Sequence, residues 1–570
     1  MLRVIENNKY ALLSGMLIFC CLQFCVGKLY GFSIFPDEFA YWAYAATATG
    51  KDWSGIMSLG SFYSYGYSLI LLPVFLLGKD PVMAYRIAVA LNFLFILISY
   101  FLLCQILGKE HQEDGKRCQI FAVVAVFYPA VVFYAQTSMT ETLLLLLYLL
   151  VVWLLQKCTV EQNYSYKRIA VILLLNSYMY LVHMRTIGTF AVCVGLMTFR
   201  AYQEKRNWGK IFAVVISSGV LIAMSFAVKK NLSAVLYRGI DPGLYHINTY
   251  SGQFEKIKHI FEGGIRDFLM SLCGKVWYLG AASYGFAYWG YIFFIKRAKQ
   301  AVSENAAIHY FFVIISVLIQ VMVSAIYNVI PDTYDSVTFG RYQDYMMPLL
   351  IAFGFEEIIE NIREIKKYLI LTAGVLLIQM VIVLQYAGKL ELPGIKGYFM
   401  AGMSLIGPEK MEISHFYFLA GLIAVLGMCF FTVVLKWCQK RGKWYISVCM
   451  IVVQLLTIER LGEQYLYPFN KLAYQDIQLA NKIGEMTKDD THEDVLSYID
   501  YNEISAIGLI QYALPDMKIK VVSCNSEDIQ KEIDKTSIVI LGADTPVQGL
   551  LEQKYEKEIV SGHFILLYNE

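Results

Sequence analysis

Long apolar runs recur along most of the chain and stop near residue 460. A helix needs roughly 20 apolar residues to cross hydrocarbon, within a range of about 17–25. The runs predict spans near 10–30, 82–107, 118–135, 142–156, 169–184, 187–200, 211–228, 275–295, 307–329, 345–358, 368–387, 415–435 and 444–459, about thirteen in all. The run at 66–78 is apolar but short. At about 1.5 Å per residue it cannot bridge roughly 30 Å, so an interfacial helix is expected there. The first run follows Arg3 and Lys9, but Phe24-Cys25-Val26-Gly27-Lys28 offers no small-x-small cleavage site. It is read as an uncleaved first span rather than a signal peptide.

The polar positions between the runs assign sides. Alternate short loops hold Lys109, Lys116 and Arg117, then Lys157, Lys167 and Arg168, then Arg200, Lys205, Arg206 and Lys210. Lys296, Arg297 and Lys299, then Arg363, Lys366 and Lys367, then Lys436, Lys440, Arg441 and Lys443 continue the series. The intervening loops are not basic: residues 31–66 hold Asp37, Glu38 and Asp52 against Lys51 alone. Basic loops face the cytoplasm. The N-terminus is therefore expected inside, and the first loop (31–81, with its short helix) and the C-terminus outside.

After residue 460 the pattern changes to strands near 495–499, 518–522, 537–541 and 562–568, alternating with helices near 502–513, 526–534 and 546–555. That alternation predicts a small parallel or mixed sheet. Its loops lack GxGxxG, so dinucleotide binding is not expected. The expected fold is an α-helical polytopic membrane protein over 1–459, followed by a small extracytoplasmic α/β domain over 460–570.

Composition agrees. The chain is 57% hydrophobic and 16% charged, whereas ordinary soluble domains are roughly 45–50% apolar and about 25% charged. A net charge of +2 without a long basic run excludes a nucleic-acid partner. The 12 Cys include no CxxC and no Cys/His ligand spacing, so neither zinc nor a redox motif is indicated. Abundant aromatics, 42 Tyr and 35 Phe, suit membrane interfaces.

Three features could carry chemistry. Asp37 and Glu38 follow Pro36 among aromatics in the first outer loop. They read plainly as a solvated helix start favoured by the dipole, or as a general base at the membrane surface. Glu141 is the one acid near the loop 134–141. It reads as the first turn of a helix capped by Ser138 or Thr140, or as a functional acid at the bilayer edge. Arg86, Arg185 and Arg341 lie at outer membrane ends, with His183 beside Arg185. Each alone reads as a snorkelling side chain. Together on the face of the acids they suit phosphate, because the guanidinium fork donates paired hydrogen bonds.

These pieces, in this order, resemble the GT-C glycosyltransferases, in the branch of protein O-mannosyltransferases and the lipid A aminoarabinose transferase. The matching segments are Asp37-Glu38, Tyr65-Gly66-Tyr67, Tyr85-Arg86, Tyr128-Pro129 with Tyr134-Ala135 before Glu141, and Gly340-Arg341-Tyr342 ahead of Pro348, over roughly residues 10–350. The family's Pro-Pro before the short helix is replaced by Ser64-Tyr65-Gly66-Tyr67-Ser68, and its second-loop acid, often Asp, is Glu.

The resemblance implies an inverting sugar transfer from a polyprenyl-phosphate donor to a glycan, lipid or protein acceptor. It implies Asp37 as base or acceptor-binding acid, Glu141 as the second-loop acid, and Arg86, Arg185 or Arg341, with Tyr342, at the donor phosphate. Glu38 is grouped with the catalytic acids, and His183, Tyr65, Tyr67 and His246 with the acceptor or cavity. His246 lies in the long loop 229–272, which is expected to cover the acceptor. No cofactor is expected; a divalent metal serves one branch of the family, but no acid or His pair here matches its site. Two other classes stay open: a transporter or flippase of lipid-linked saccharides, and a polysaccharide polymerase or ligase.

Overall fold

The computed structural model describes Gly15, Ile18 and residues 26–569, except 58–63, 79, 111–114, 205, 239–249, 302–306, 404, 406, 408–410, 439–443, 488–494, 501–503, 524–537, 543–544, 546–547 and 552–553. The first expected span, the helix expected near 526–534 and His246 lie wholly or mostly outside the described residues.

The helices in chain order are α1 (Asp37–Ala48), α2 (Ser54–Met57), α3 (Ser68–Leu77), α4 (Pro81–Glu110), α5 (Gly115–Val126), α6 (Pro129–Ala135) and α7 (Glu141–Val160). Next come α8 (Tyr166–Val182), α9 (Ile187–Gln203), α10 (Trp208–Leu236), α11 (Tyr250–His259), α12 (Ile265–Ala281), α13 (Phe286–Gln300) and α14 (Ile308–Tyr327). The helical part closes with α15 (Met347–Glu360), α16 (Ile365–Ala387), α17 (Ile413–Cys438), α18 (Trp444–Leu461) and α19 (Tyr467–Met486).

Among the described residues, 7 helices are long and apolar enough to cross a membrane: α4, α7, α10, α14, α16, α17 and the α18–α19 rod. The bent pair α5–α6 raises this to 8 if counted as one span. Other expected spans are short helices: α8, α9 and α12 have 17 residues, α13 has 15 and α15 has 14. The expected span 275–295 is two helices, broken where Tyr284 and Gly285 both take positive φ. Gly285 adopts that conformation without a Cβ clash. The apolar run hid this break because hydropathy does not register a chain reversal. Helix α3 has 10 residues, too few to cross, as its length suggested. The α18 helix continues through a π-turn into α19, past the boundary expected at 459/460.

The C-terminal sheet contains β1 (Val495–Asp500), β2 (Lys518–Ser523), β3 (Ile538–Gly542), β4 (Lys557–Ser561) and β5 (Phe564–Tyr568), with helix α20 (Ile504–Ala513) between β1 and β2. Its order is β2-β1-β3-β5-β4. The pairs β1–β2 and β1–β3 are parallel, while β5 is antiparallel to β3 and β4. The sheet is thus mixed. Strand β4 escaped the sequence pattern because its two apolar residues, Ile559 and Val560, are adjacent rather than alternating, and Val560 is exposed.

This unit grips the segment that carries the acidic pair. The α20 ring Tyr512 packs on Phe32 (5.0 Å) and Trp42 (4.8 Å), and its hydroxyl donates to the Pro81 carbonyl (3.2 Å). Such aromatic pairs add about 0.5–1.5 kcal/mol each beyond their buried area. Gly508 lies against the Phe39 ring, and the Gly55 backbone lies against the Ile519 carbonyl, closer than a Cβ would allow. Lys518 pairs with Asp52 (2.9 Å), and Lys51 pairs with Asp516. Helix α1 is therefore held against the C-terminal unit by ring packing and ion pairs.

Candidate active site

Tyr128-Pro129 interrupts the apolar run at 118–135. Pro129 takes an initial position of α6, where a missing N–H leaves no extra unpaired donor. The axis turns by 59° between Arg117–Val126 and Pro129–Ala135. The turn 136–140 is buried, and Glu141 opens α7 in the protein interior. Thr140, at the N-cap, makes no capping bond, and the Ser138 hydroxyl binds Glu38 instead. Neither residue therefore caps the helix.

Four charged side chains form a continuous line. Arg341 donates from Nη1 to Asp37 Oδ2 (2.7 Å) and from Nε to Glu141 Oε1 (2.8 Å). Arg185 donates from Nη2 to the same Glu141 oxygen (3.2 Å). Glu141 is 1% exposed and Arg185 3%, so these pairs stand in a low dielectric and each partner depends on the others. Glu141 Oε2, Arg185 Nε and Nη1, and Arg341 Nη2 are buried with no hydrogen-bond partner. Leaving such groups unpaired costs roughly 1–3 kcal/mol each, more when charged. Natural interiors rarely tolerate this without a purpose.

Asp37, Arg185 and Arg341 line one cavity of about 550 Å³, with Glu141 behind the two guanidinium groups. His183 and Tyr342 line it too. The Tyr342 ring lies 4.8 Å from the Arg185 guanidinium and 5.7 Å from the His183 ring. The His183 Nδ1 accepts from the Arg185 backbone N–H (3.3 Å). Burial, then the charges of Arg185 and Arg341, hold His183 well below the usual imidazole range, so it stays neutral. The opposite wall was not anticipated from sequence: Tyr327, Asp332, Lys396, Tyr398 and Phe399. A single Lys in a mixed loop carries no pattern; only the Tyr398-Phe399 pair hinted at an interfacial position. The Gly340 N–H donates to the Phe399 carbonyl (2.9 Å), which ties this wall to the Arg341 loop.

The other expected residues lie elsewhere. Glu38 is 0% exposed and turned away from Asp37. Its two oxygens accept from the Ser33 N–H (2.7 Å) and hydroxyl (2.5 Å), the Tyr85 hydroxyl (2.8 Å), and the Ser138 N–H and hydroxyl (both 2.6 Å). Burial pushes its carboxyl above the usual range, against the pull of those bonds. Glu38 is a strut between the first loop, α4 and the 136–140 turn. Arg86 donates to the Leu29 and Gly27 carbonyls (2.9 and 3.1 Å) and stacks near Tyr30, away from the cavity. Tyr67 donates to Asn92 (3.0 Å), and neither Tyr65 nor Tyr67 is among the described residues lining the cavity. Gly66 instead packs its backbone on Leu181, accepting no Cβ.

Two crystal structures of ArnT from Cupriavidus metallidurans, one bound to undecaprenyl phosphate and one in the apo state, align with nearly the whole chain. Each alignment covers 99% of this chain and 98% of that chain at 12% identity, with TM-scores of 0.51 and 0.53. This chain has the ArnT fold. That agrees with the fold expected from the GT-C resemblance. The archaeal oligosaccharyltransferase AglB from Archaeoglobus fulgidus overlaps more loosely, at TM-score 0.41, 10% identity, 93% of this chain and 69% of that one. No family model and no curated protein matches the sequence. At 12% identity the ArnT likeness concerns the path of the chain.

Proposed function

We propose that this protein is a membrane glycosyltransferase that takes a sugar from a polyprenyl-phosphate carrier at the extracytoplasmic face. One observation carries the reading. Two guanidinium groups, oriented from behind by Glu141, line a cavity that also holds Asp37, and three of their buried nitrogens have no partner. That arrangement suits an anion with several acceptor oxygens, and bidentate Arg–phosphate contacts are its natural complement. The undecaprenyl phosphate carried by ArnT is a ligand of this chemical class.

In the proposed reaction the acceptor hydroxyl attacks the anomeric carbon opposite the phosphate. The carbon–oxygen bond to phosphate breaks, its electron pair leaves with the phosphate, and the configuration inverts. Arg185 and Arg341 stabilise the added charge. The hydroxyl proton passes to Asp37, whose carboxylate Arg341 holds in place. The leaving group needs no proton, so one base is enough. Arg341 bridges Asp37 and Glu141, and no step of the proposed reaction is assigned to a divalent cation. Among the described residues no group of three His, Cys, Asp or Glu stands ready for a metal.

The test is transfer by purified protein in detergent or nanodiscs, from a panel of polyprenyl-phosphate sugars to envelope glycans, lipids and peptides. Product release from any donor, lost in Asp37→Asn with expression intact, supports the reading. Carrier movement across a vesicle wall without transfer would replace it with a transporter.

A further inference from the structure

Beneath the charged line lies a buried carboxyl that the proposed reaction does not use. Asp344 is 0% exposed. Its Oδ1 accepts from the Tyr128 hydroxyl (3.0 Å) and the Tyr278 hydroxyl (2.8 Å), while its Oδ2 has no hydrogen-bond partner. The two phenol oxygens lie 3.1 Å apart, and the Tyr278 oxygen also accepts the Gly402 N–H (3.1 Å). The Asp344 N–H donates back to the Gly340 carbonyl (3.2 Å). One side chain thus joins the α5–α6 bend, α12, the Phe399 loop and the loop that carries Arg341. Gly340 fits flat on the Tyr278 ring, where a Cβ would collide.

The groups that face Asp344 are Tyr128 and Tyr134 from the bend, Tyr278 from α12, Glu141 from α7 and Arg185 from the turn between α8 and α9; Arg341, three residues before it, is tied to it through Glu141. Burial raises its carboxyl to about 7, the two phenols pull it down, Glu141 pushes it up and Arg185 lowers it. Asp344 and an anion held by Arg185 would therefore draw on the same positive field.

We propose that Asp344 is a positioning residue of this site, and that it takes up a proton when a phosphate-bearing ligand binds to Arg185 and Arg341. The proposal rests on the reading of those arginines as the phosphate site. Ionised Asp344 weakens the field that an anion meets, and protonated Asp344 restores it. Reciprocity follows: the anion favours the protonated form, and protonation favours the anion. The sign is fixed, with affinity high below neutrality and falling as pH rises through it.

The probe is a farnesyl methyl phosphodiester, whose single charge does not change between acidic and alkaline pH, so the ligand adds no titration of its own. Its affinity for full-length protein in detergent is measured across that range. Wild type should lose roughly fivefold in affinity towards alkaline pH, the low end of ordinary site-to-site linkage. Asp344→Asn keeps an oxygen acceptor for both phenols but cannot ionise. It should bind as tightly as acidic wild type, with a flat profile. In wild type alone, binding near neutrality should take protons from weakly buffered solution, which needs no variant to fold. A pH profile unchanged in Asp344→Asn, or no proton uptake in wild type, overturns the proposal. If Arg185→Ala and Arg341→Ala both leave probe affinity unchanged, the phosphate reading fails instead, and the two failures are told apart.

Discussion

Two fully buried glutamates show opposite construction. Around Glu38, two carboxylate oxygens take five hydrogen bonds from Ser33, Tyr85 and Ser138. Around Glu141, one oxygen takes both Arg341 and Arg185 while the other takes nothing, and three guanidinium nitrogens stay open. The first region is saturated and holds three chain segments together. The second keeps polar capacity in reserve beside a cavity. The saturated glutamate acts as a strut, whereas the open guanidinium nitrogens lie on residues that line a cavity, where a ligand could fill them.

That contrast can be broken by experiment. Arg341→Ala leaves Asp37 and Glu141 without their shared cation. Donor affinity should fall by about 3 kcal/mol, roughly a hundredfold. Calorimetry or a ligand-shift assay with a polyprenyl phosphate checks this, and unchanged affinity would make the guanidinium line structural. Glu38→Ala strands the donors of Ser33 and Ser138 and should lower stability by about 2–3 kcal/mol, read as thermal midpoint in detergent. Turnover per folded molecule should survive; a selective loss of turnover would return Glu38 to the catalytic group.

Two smaller effects sharpen the picture. Tyr512→Phe removes only the bond to the Pro81 carbonyl and should cost about 1 kcal/mol of stability. Hydrogen exchange should quicken in residues 30–57 if the C-terminal unit steadies α1, and an unaffected segment would count against that clamp. Arg86→Ala should change donor affinity least of all, within roughly 0.5 kcal/mol. A larger loss of donor affinity would bring Arg86 back to the phosphate.

Asp37 and Glu38 also show where sequence reasoning stops. The acidic pair after Pro36 was legible, as were the short helix at Ser68–Leu77 and the strand–helix alternation after residue 490. Which acid of the pair serves the cavity was not. Neighbours on a helix point about 100° apart, and what each meets depends on segments as remote as Ser138 and Arg341. Arg86 and Arg341 likewise look alike in sequence, each an arginine beside a tyrosine near the start of an apolar run. One spends its donors on two local carbonyls and the other joins two acids. Lys396 and Asp344 gave no local signal, since a lone charge in a loop is usually solvated.

The sequence by itself determined the helical, apolar body, the segregation of its charges into loops, and the mixed α/β unit at the C-terminal end. Those are properties of short stretches, written in hydrophobic period and length. The tertiary structure alone decided that Asp37, Glu141, Arg185 and Arg341 meet, that Glu38 and Arg86 do not join them, and that Asp344 lies beneath. Such meetings depend on where bends like Tyr128-Pro129 and close approaches like Gly340 on Tyr278 send the chain, and no local pattern encodes the distance between residues two hundred positions apart.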